Sequence, residues 1–269
     1  MFDWNVHLPC RSDSLGQRWN DERTMTADEL LQCLSLYIDT TRGVVTNANF
    51  MIFNESLDYG QVSKFCLGVR KELLGAHVTM LLDSSAPNPS DHVHSLMESG
   101  VNAVTFHSYF QRITHDQHSN VLSLAKAAAD LRLPILIDSS FGSTDMYRCD
   151  NLSLAASILK EVSDVPVMLM HSGGARAMEA FLLADACPNV LLDTSFSVPY
   201  FLGSTIESDL AFAYKRIGVE RVVFGSDFPY ISFEDALSKT RLFFERNGFS
   251  DSEIEIVFSN TPKKVFGRL

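Results

Sequence analysis

Short apolar runs alternate with amphipathic stretches from one end of the chain to the other. The runs are strand-length, rich in Val, Ile, Leu and Met, and hardly interrupted by polar residues. That is the pattern of parallel strands buried on both faces. It predicts strands at Phe2–His7, Val44–Phe53, His77–Leu82, Ala103–His107, Pro134–Asp138, Pro166–His171, Val190–Ser195 and Arg221–Asp227. The stretches between them carry helix signals. Thr26-Ala27-Asp28-Glu29 is a capping box, followed at helical spacing by Leu30, Leu31, Leu34 and Ile38. Asp150 caps a run with Leu152, Ala155, Leu159 and Val162 on one stripe, and Ser250-Asp251-Ser252-Glu253 is a second capping box. Asn260-Thr261-Pro262 opens a short last helix, with proline in its first turn.

Strands and helices in this alternation predict a single α/β domain over residues 1–269, a (β/α)8 TIM-type barrel or a distorted relative of one. A doubly wound open sheet is the rival. It carries a glycine-rich fingerprint after its first strand. Here that strand runs into Leu8-Pro9-Cys10-Arg11, so no nucleotide cofactor is expected.

Composition narrows the function classes. A net charge of −11 argues against sequence-independent nucleic-acid binding, which needs a basic footprint. It leaves room for a small anionic ligand held by local arginines. No apolar run approaches the ~20 residues of a membrane span. Met1-Phe2-Asp3-Trp4 does not begin like a secretory signal. The 5 cysteines, Cys10, Cys33, Cys66, Cys149 and Cys187, form no C-x-x-C pair, and read as reduced thiols of a cytoplasmic protein.

In a barrel of this kind the chemistry sits at the C-terminal ends of the strands. In order, those ends carry His7, Asn54, Asp83, His107, Asp138, His171, Asp193 with Ser195, and Asp227. Arg221-Val222-Val223-Phe224-Gly225-Ser226-Asp227-Phe228-Pro229 is the clearest case: a buried strand, a small-residue turn, then a carboxylate. Convergence of so many titratable side chains on one face points to a site. Asn5 and His7, two apart on a strand, both face the interior. Asn-x-His is a weaker metal signal than His-x-His, because an amide oxygen is a poor zinc ligand.

These residues resemble the amidohydrolase superfamily, in its amidohydrolase-related subgroup of aminocarboxymuconate-semialdehyde decarboxylase-like and pyrone-dicarboxylate lactonase-like enzymes. Phe2-Asp3-Trp4-Asn5-Val6-His7 matches the first-strand Asp-x-His-x-His, and Thr105-Phe106-His107 the fourth-strand Lys-x-His. Pro134–Asp138 matches a fifth strand that usually ends in histidine. His171-Ser172-Gly173-Gly174 matches His-x-Gly-Gly, and Gly225-Ser226-Asp227-Phe228-Pro229 matches Gly-Ser-Asp-x-Pro. Asn260-Thr261-Pro262-Lys263-Lys264-Val265-Phe266 is similar to the family's closing helix. The resemblance implies metal ligands at Asn5, His7, Asp138 and Asp227, where the family usually has three histidines and an aspartate. It also implies a homodimer.

Three readings of this altered site follow. In the first, one divalent ion (Zn, Mn or Mg) sits on His7, Asp138 and Asp227 and activates water. Asp227 then acts as base, and His171 donates to the substrate carbonyl or leaving group. A metal-dependent decarboxylase is a variant of this reading. In the second, hydrolysis proceeds without metal, on a pre-positioned, electrophilic substrate such as a lactone. Asp227 is then the base, and His171, His107 and the loop amides stabilise the oxyanion. In the third, catalysis is lost and the barrel mouth binds a small molecule or a partner.

Arginines recur on the predicted loops above the strands: Arg11, Arg18, Arg112, Arg148 and Arg176. Arg112 and Arg176 are the best candidates to bind an anionic substrate, with Tyr109 as a pocket wall. Trp19, Tyr147, Tyr200 and Tyr230 are further wall candidates. His92 and His94 fall on a helix, two apart and therefore on different faces. His115 and His118 flank a loop, and His77 opens the third strand at the barrel bottom.

Overall fold

A computed structural model describes residues 1–9, 21–141 and 143–260. All eight predicted strands form, each shorter than its apolar run, and the last is reduced to two residues. They are β1 (Phe2–Val6), β2 (Asn47–Ile52), β3 (His77–Leu81), β4 (Ala103–Phe106), β5 (Ile135–Asp138), β6 (Val167–Met170), β7 (Val190–Asp193) and β8 (Val222–Val223). They pair in parallel in chain order, as one 8-stranded sheet. β8 comes back to β1 through a parallel bridge between Val6 and Phe228. The Trp4 N–H also donates to the Phe224 carbonyl at 2.9 Å, and the His7 N–H to the Phe228 carbonyl at 2.7 Å. The sheet is therefore a nearly closed (β/α)8 barrel.

The period-2 alternation of the strands divides the core in two. Phe50, Ile52, Val78, Met80, Val104, Ile135, Ile137, Val167 and Leu169 face outward into one large cluster with the helices. Phe2, Trp4, Met51, Leu81, Leu136, Met168, Met170 and Val223 form a smaller cluster inside the barrel. β1 breaks the alternation once. Its register shifts between Asp3 and Val6, as an extra residue in one strand does. Trp4 can therefore belong to the inner cluster while its neighbour Asn5 also reaches interior partners on β7 and β8.

The helix signals hold where they can be seen. Ala27–Thr41 and Asp251–Ser259 both start with complete capping boxes, Thr26 with Glu29 and Ser250 with Glu253. Asp150 caps Asn151–Leu159 by accepting from the Leu152 and Ser153 N–H groups. The predicted last helix after Asn260 lies outside the described residues. Within them, no helix is long and apolar enough to cross a membrane. One expectation is corrected: the cysteines are not all reduced. Cys33 is disulfide-bonded, whereas Cys66, Cys149 and Cys187 are free. The absence of a C-x-x-C pair did not reveal this, because a disulfide needs spatial proximity rather than close spacing in sequence.

Candidate active site

A cavity of about 390 Å³ opens at the C-terminal end of the strands. Its polar lining comes from His7, His107, Asp138, Ser140, His171 and Asp227; its aromatic lining comes from Phe53, Tyr109, Phe110, Phe196 and Tyr230. Strand ends far apart in sequence thus meet as the barrel topology requires. Two groups of side chains can be distinguished.

The first group centres on Asp138 at the tip of β5. Its Oδ2 lies 3.1 Å from His171 Nε2 and 3.4 Å from His107 Nε2. Its Oδ1 accepts from the Ser140 N–H (2.9 Å), the Ser140 hydroxyl (2.6 Å) and Asn151 Nδ2 (3.2 Å). Burial alone would push this carboxyl up, but the two imidazoles and the hydrogen bonds hold it below the usual range. His171 responds in the opposite sense. Burial works against its charge, yet Asp138, and behind it Asp227 and Asp193, raise it to about 10. It is an imidazolium at neutral pH. Burial lowers His107 to about 4, so it is neutral.

The backbone that carries His171 is strained. His171, Ser172, Gly173 and Gly174 have φ of 62°, 47°, 83° and 56°, all in the left-handed region. Glycine tolerates this; His and Ser hold it only where neighbours compel them. The His171 N–H donates to Asp193 Oδ1 at 2.6 Å, the Ser172 hydroxyl bonds the Asp193 carbonyl, and the Ser197 hydroxyl bonds the His171 carbonyl. A Cβ on Gly173 would lie 2.7 Å from that of Ala180. The His-Ser-Gly-Gly sequence is thus a tight turn that aims an imidazole into the cavity.

The second group spans β8 and β1. Asp227 also has a left-handed backbone, φ 59°, and its N–H donates to the Asn5 carbonyl at 2.9 Å. The preceding turn is clamped by Asp3, whose Oδ1 accepts from the Ser226 N–H at 2.8 Å, while the Tyr37 hydroxyl donates to its Oδ2 at 3.1 Å. Gly225 is needed for close approach, because a Cβ there would stand 3.0 Å from both the Asn5 and Ser195 Cβ atoms. Burial raises Asp227 to about 6 against the lowering effect of His171 and His7. His7 Nε2 is 3.9 Å from Asp227 Oδ1, too far for a hydrogen bond. His7 Nδ1 lies 3.2 Å from Glu22 Oε2. Burial opposes charge on His7, but Glu22 and Asp227 outweigh it and raise its pKa.

Ser195, His171 and Asp138 have the connectivity of a nucleophilic triad, with Ser195 Oγ 3.0 Å from His171 Nδ1. They cannot work as one. Ser195 is 0 % exposed, and its hydroxyl contacts both Asp193 oxygens, at 2.7 and 2.8 Å. No substrate carbonyl reaches it.

The expected metal set is not brought together. Among the described residues no three His, Cys, Asp or Glu side chains are grouped to hold an ion. The donor chemistry says why. Asn5 turns its amide nitrogen, not its oxygen, toward Asp227 Oδ1 (3.3 Å) and Ser195 Oγ (3.0 Å). Both Asp138 oxygens already accept from protein donors. The fifth-strand position is thus engaged otherwise, while Asn5 Oδ1 is buried with no partner among the described residues but is only a weak amide ligand; the residues present do not form a metal site.

Of the other expected site residues, Tyr109 lines the cavity, with its hydroxyl 2.6 Å from that of Ser140. Arg112 is exposed and does not line it. Nor does Arg176, whose guanidinium pairs with Asp150 at 2.7 Å and with Glu179 and lies over the Phe141 ring. Arg148 is exposed, and Arg11, Arg18 and Trp19 lie outside the described residues. His92 and His94 are on the helix Pro89–Glu98, away from the cavity. Sequence reasoning missed Phe53, Phe110 and Phe196, which look like ordinary core residues. It also missed Glu22, which lies in a charged Asp21-Glu22-Arg23 loop with no pattern to mark it.

The chain matches the family model described as Amidohydrolase over residues 75–268. No curated protein matches it in sequence. Solved structures are similar in fold. An uncharacterised TIM-barrel protein of Bordetella bronchiseptica is 14% identical with a TM-score of 0.73, over 98% of this chain and 97% of that one. A probable 2-pyrone-4,6-dicarboxylic acid hydrolase of Acinetobacter baumannii, with citric acid bound, is 14% identical with a TM-score of 0.65, over 99% of each chain. A dihydroxybenzoic acid decarboxylase of Polaromonas sp. JS666, with manganese bound, is 11% identical with a TM-score of 0.60, over 98% of this chain and 96% of that one.

Proposed function

The chain belongs to the amidohydrolase family, and we propose that it is a hydrolase of a small anionic lactone, ester or amide that works without a metal ion. The observation that carries this reading is the 3.9 Å gap between Asp227 Oδ1 and His7 Nε2 in the cavity wall. An oxygen atom seated to the cavity side of that line reaches both at hydrogen-bond distance. A water there would give a proton to Asp227 while its oxygen attacks the carbonyl carbon. Asp227, raised to about 6, is poised as a base near neutrality. The carbonyl oxygen gains negative charge as the bond forms. The His171 imidazolium places positive charge beside it in a buried site. Both His171 nitrogens are already engaged, so His171 acts chiefly through its charge. When the acyl–oxygen (or acyl–nitrogen) bond breaks, Asp227 returns its proton to the leaving group. That cation favours an anionic substrate, and the aromatic walls favour a flat one.

A cyclic ester suits such a site because it is electrophilic without metal activation. The direct test uses 2-pyrone-4,6-dicarboxylate and singly carboxylated pyrones as probes, with protein dialysed against chelator. Ring opening is followed by loss of ring absorbance, and wild type is compared with Asp227→Asn. Chelator-resistant opening that Asp227→Asn abolishes supports the reading. Turnover only with added Mn or Zn, release of carbon dioxide in place of hydrolysis, or undiminished opening by Asp227→Asn would overturn it. Binding of the probes with no turnover would favour an inactive binding barrel.

A further inference from the structure

We infer that Glu22 is a positioning residue of this site: its carboxylate fixes which nitrogen of His7 carries a proton toward the protein, and so which one faces Asp227. The inference rests on the hydrolase reading for its kinetic consequence, but not for its geometry. Glu22 opens a short turn, Glu22–Thr24, capped by Asp21. It is 5 % exposed, so its charge is nearly out of water. An acidic side chain is rarely buried this far without partners that need it. Here each oxygen has its own. Oε2 lies 3.2 Å from His7 Nδ1, and Oε1 accepts from the Tyr230 hydroxyl at 2.5 Å.

A carboxylate only accepts, so the 3.2 Å contact puts a hydrogen on His7 Nδ1. The bond made by one ring nitrogen decides the role of the other. With Nδ1 tied to Glu22, the ring is turned so that Nε2 faces Asp227 across the 3.9 Å gap. Phe53 and Tyr230 stand edge-on to the same ring at 4.8 and 5.4 Å and keep it from turning away. Tyr230 is itself held by Glu22. One carboxylate from the turn after β1 thus orients two cavity residues, one just past β1 and one beyond β8.

The test reads the ring directly and needs no substrate. Full-length protein with ¹⁵N-labelled histidine is examined by NMR at one fixed neutral pH, with the His7 signals identified by their loss in His7→Gln. Wild type is expected to show a protected Nδ1–H on His7. Glu22→Gln should lose or strongly shift that signal. Tyr230→Phe should retain it, because Tyr230 bonds the other oxygen. With any probe lactone that wild type opens, Glu22→Gln should lower kcat on the order of 10²-fold while KM stays within about twofold. A purely structural role would instead lower the melting temperature and leave kcat per folded molecule unchanged. If Glu22→Gln does not fold, Glu22→Asp replaces it, since the shorter side chain keeps the charge but withdraws from His7. An unchanged Nδ1–H signal in the folded variant overturns the inference, as does an unchanged kcat. If wild type opens no lactone, the hydrolase reading fails while the NMR result still decides the placement of Glu22.

Discussion

Two buried carboxylates stand at the mouth of this barrel, and they behave as opposites. Asp138 is saturated. Two imidazoles share one of its oxygens and three donors share the other. Asp227 is starved. Among the described residues it has one amide donor at 3.3 Å and a histidine beyond hydrogen-bond distance. Both are almost fully buried, so burial costs each a similar amount. What differs is compensation, which holds Asp138 below the usual carboxylate range and lets Asp227 titrate at about 6. A satisfied buried charge is part of the scaffold; an under-satisfied one is available for chemistry.

The contrast is tested most severely by removing each charge in turn. Asp227→Asn should reduce hydrolysis of a probe lactone by about 10³-fold or more. At pH 7 to 8 it should also raise the melting temperature, because it removes a carboxylate whose ionised form the fold disfavours. Asp138→Asn should act in the opposite direction on stability. It leaves His171 without its anion, and breaking such a pair costs about 3–5 kcal/mol. Thermal unfolding of the two variants side by side checks this. Shifts of the same sign would break the comparison.

The pH dependence is the next largest effect. Asp227 must be ionised to act, so kcat/KM should rise as pH passes about 6. His171 must remain protonated, so activity should fall as pH passes about 10. The stability signs differ for the two groups. The folded pKa of His171 lies above its unfolded value, so its contribution is full below about 6.5 and is lost as pH climbs through about 10. Asp227 also binds its proton more tightly when folded, so its ionisation erodes stability between about 4 and 6. A rate profile with no acidic limb near 6 would remove Asp227 from the role of base.

Smaller effects sharpen the boundary of the site. Arg112→Ala with Arg176→Ala should change KM for an anionic probe by less than about threefold, because one arginine is exposed and the other is held by two carboxylates. A large rise in KM would mean that charge outside the cavity reaches the substrate. Thr105→Val should be nearly neutral or slightly stabilising. The Thr105 hydroxyl is buried on β4 with no partner among the described residues, where the resemblance expected a lysine. Calorimetry on that variant gives the cost of the orphan hydroxyl.

Much of this molecule was legible in the linear chain. Strand runs, caps and the loop residues at strand ends are local properties, and a barrel converts order along the chain into convergence at one end. That is why His7, His107, Asp138, His171 and Asp227 could be named before their geometry was known. Glu22, Phe53 and Phe196 could not. A carboxylate in a polar loop and phenylalanines in or beside apolar runs look the same whether or not they line a site.

The sequence by itself determined the barrel, the face that carries the chemistry, and the replacement of two expected histidines by Asn5 and Asp138. Only the tertiary structure decided what those replacements mean. Asn5 directs its amide nitrogen at Asp227, and Asp138 spends both oxygens on neighbours from β4, β6 and its own loop. Whether a carboxylate is a ligand, a counter-ion or a base depends on how many donors surround it and how little water reaches it. Those quantities arise only when strands distant in sequence are brought within a few ångströms of one another.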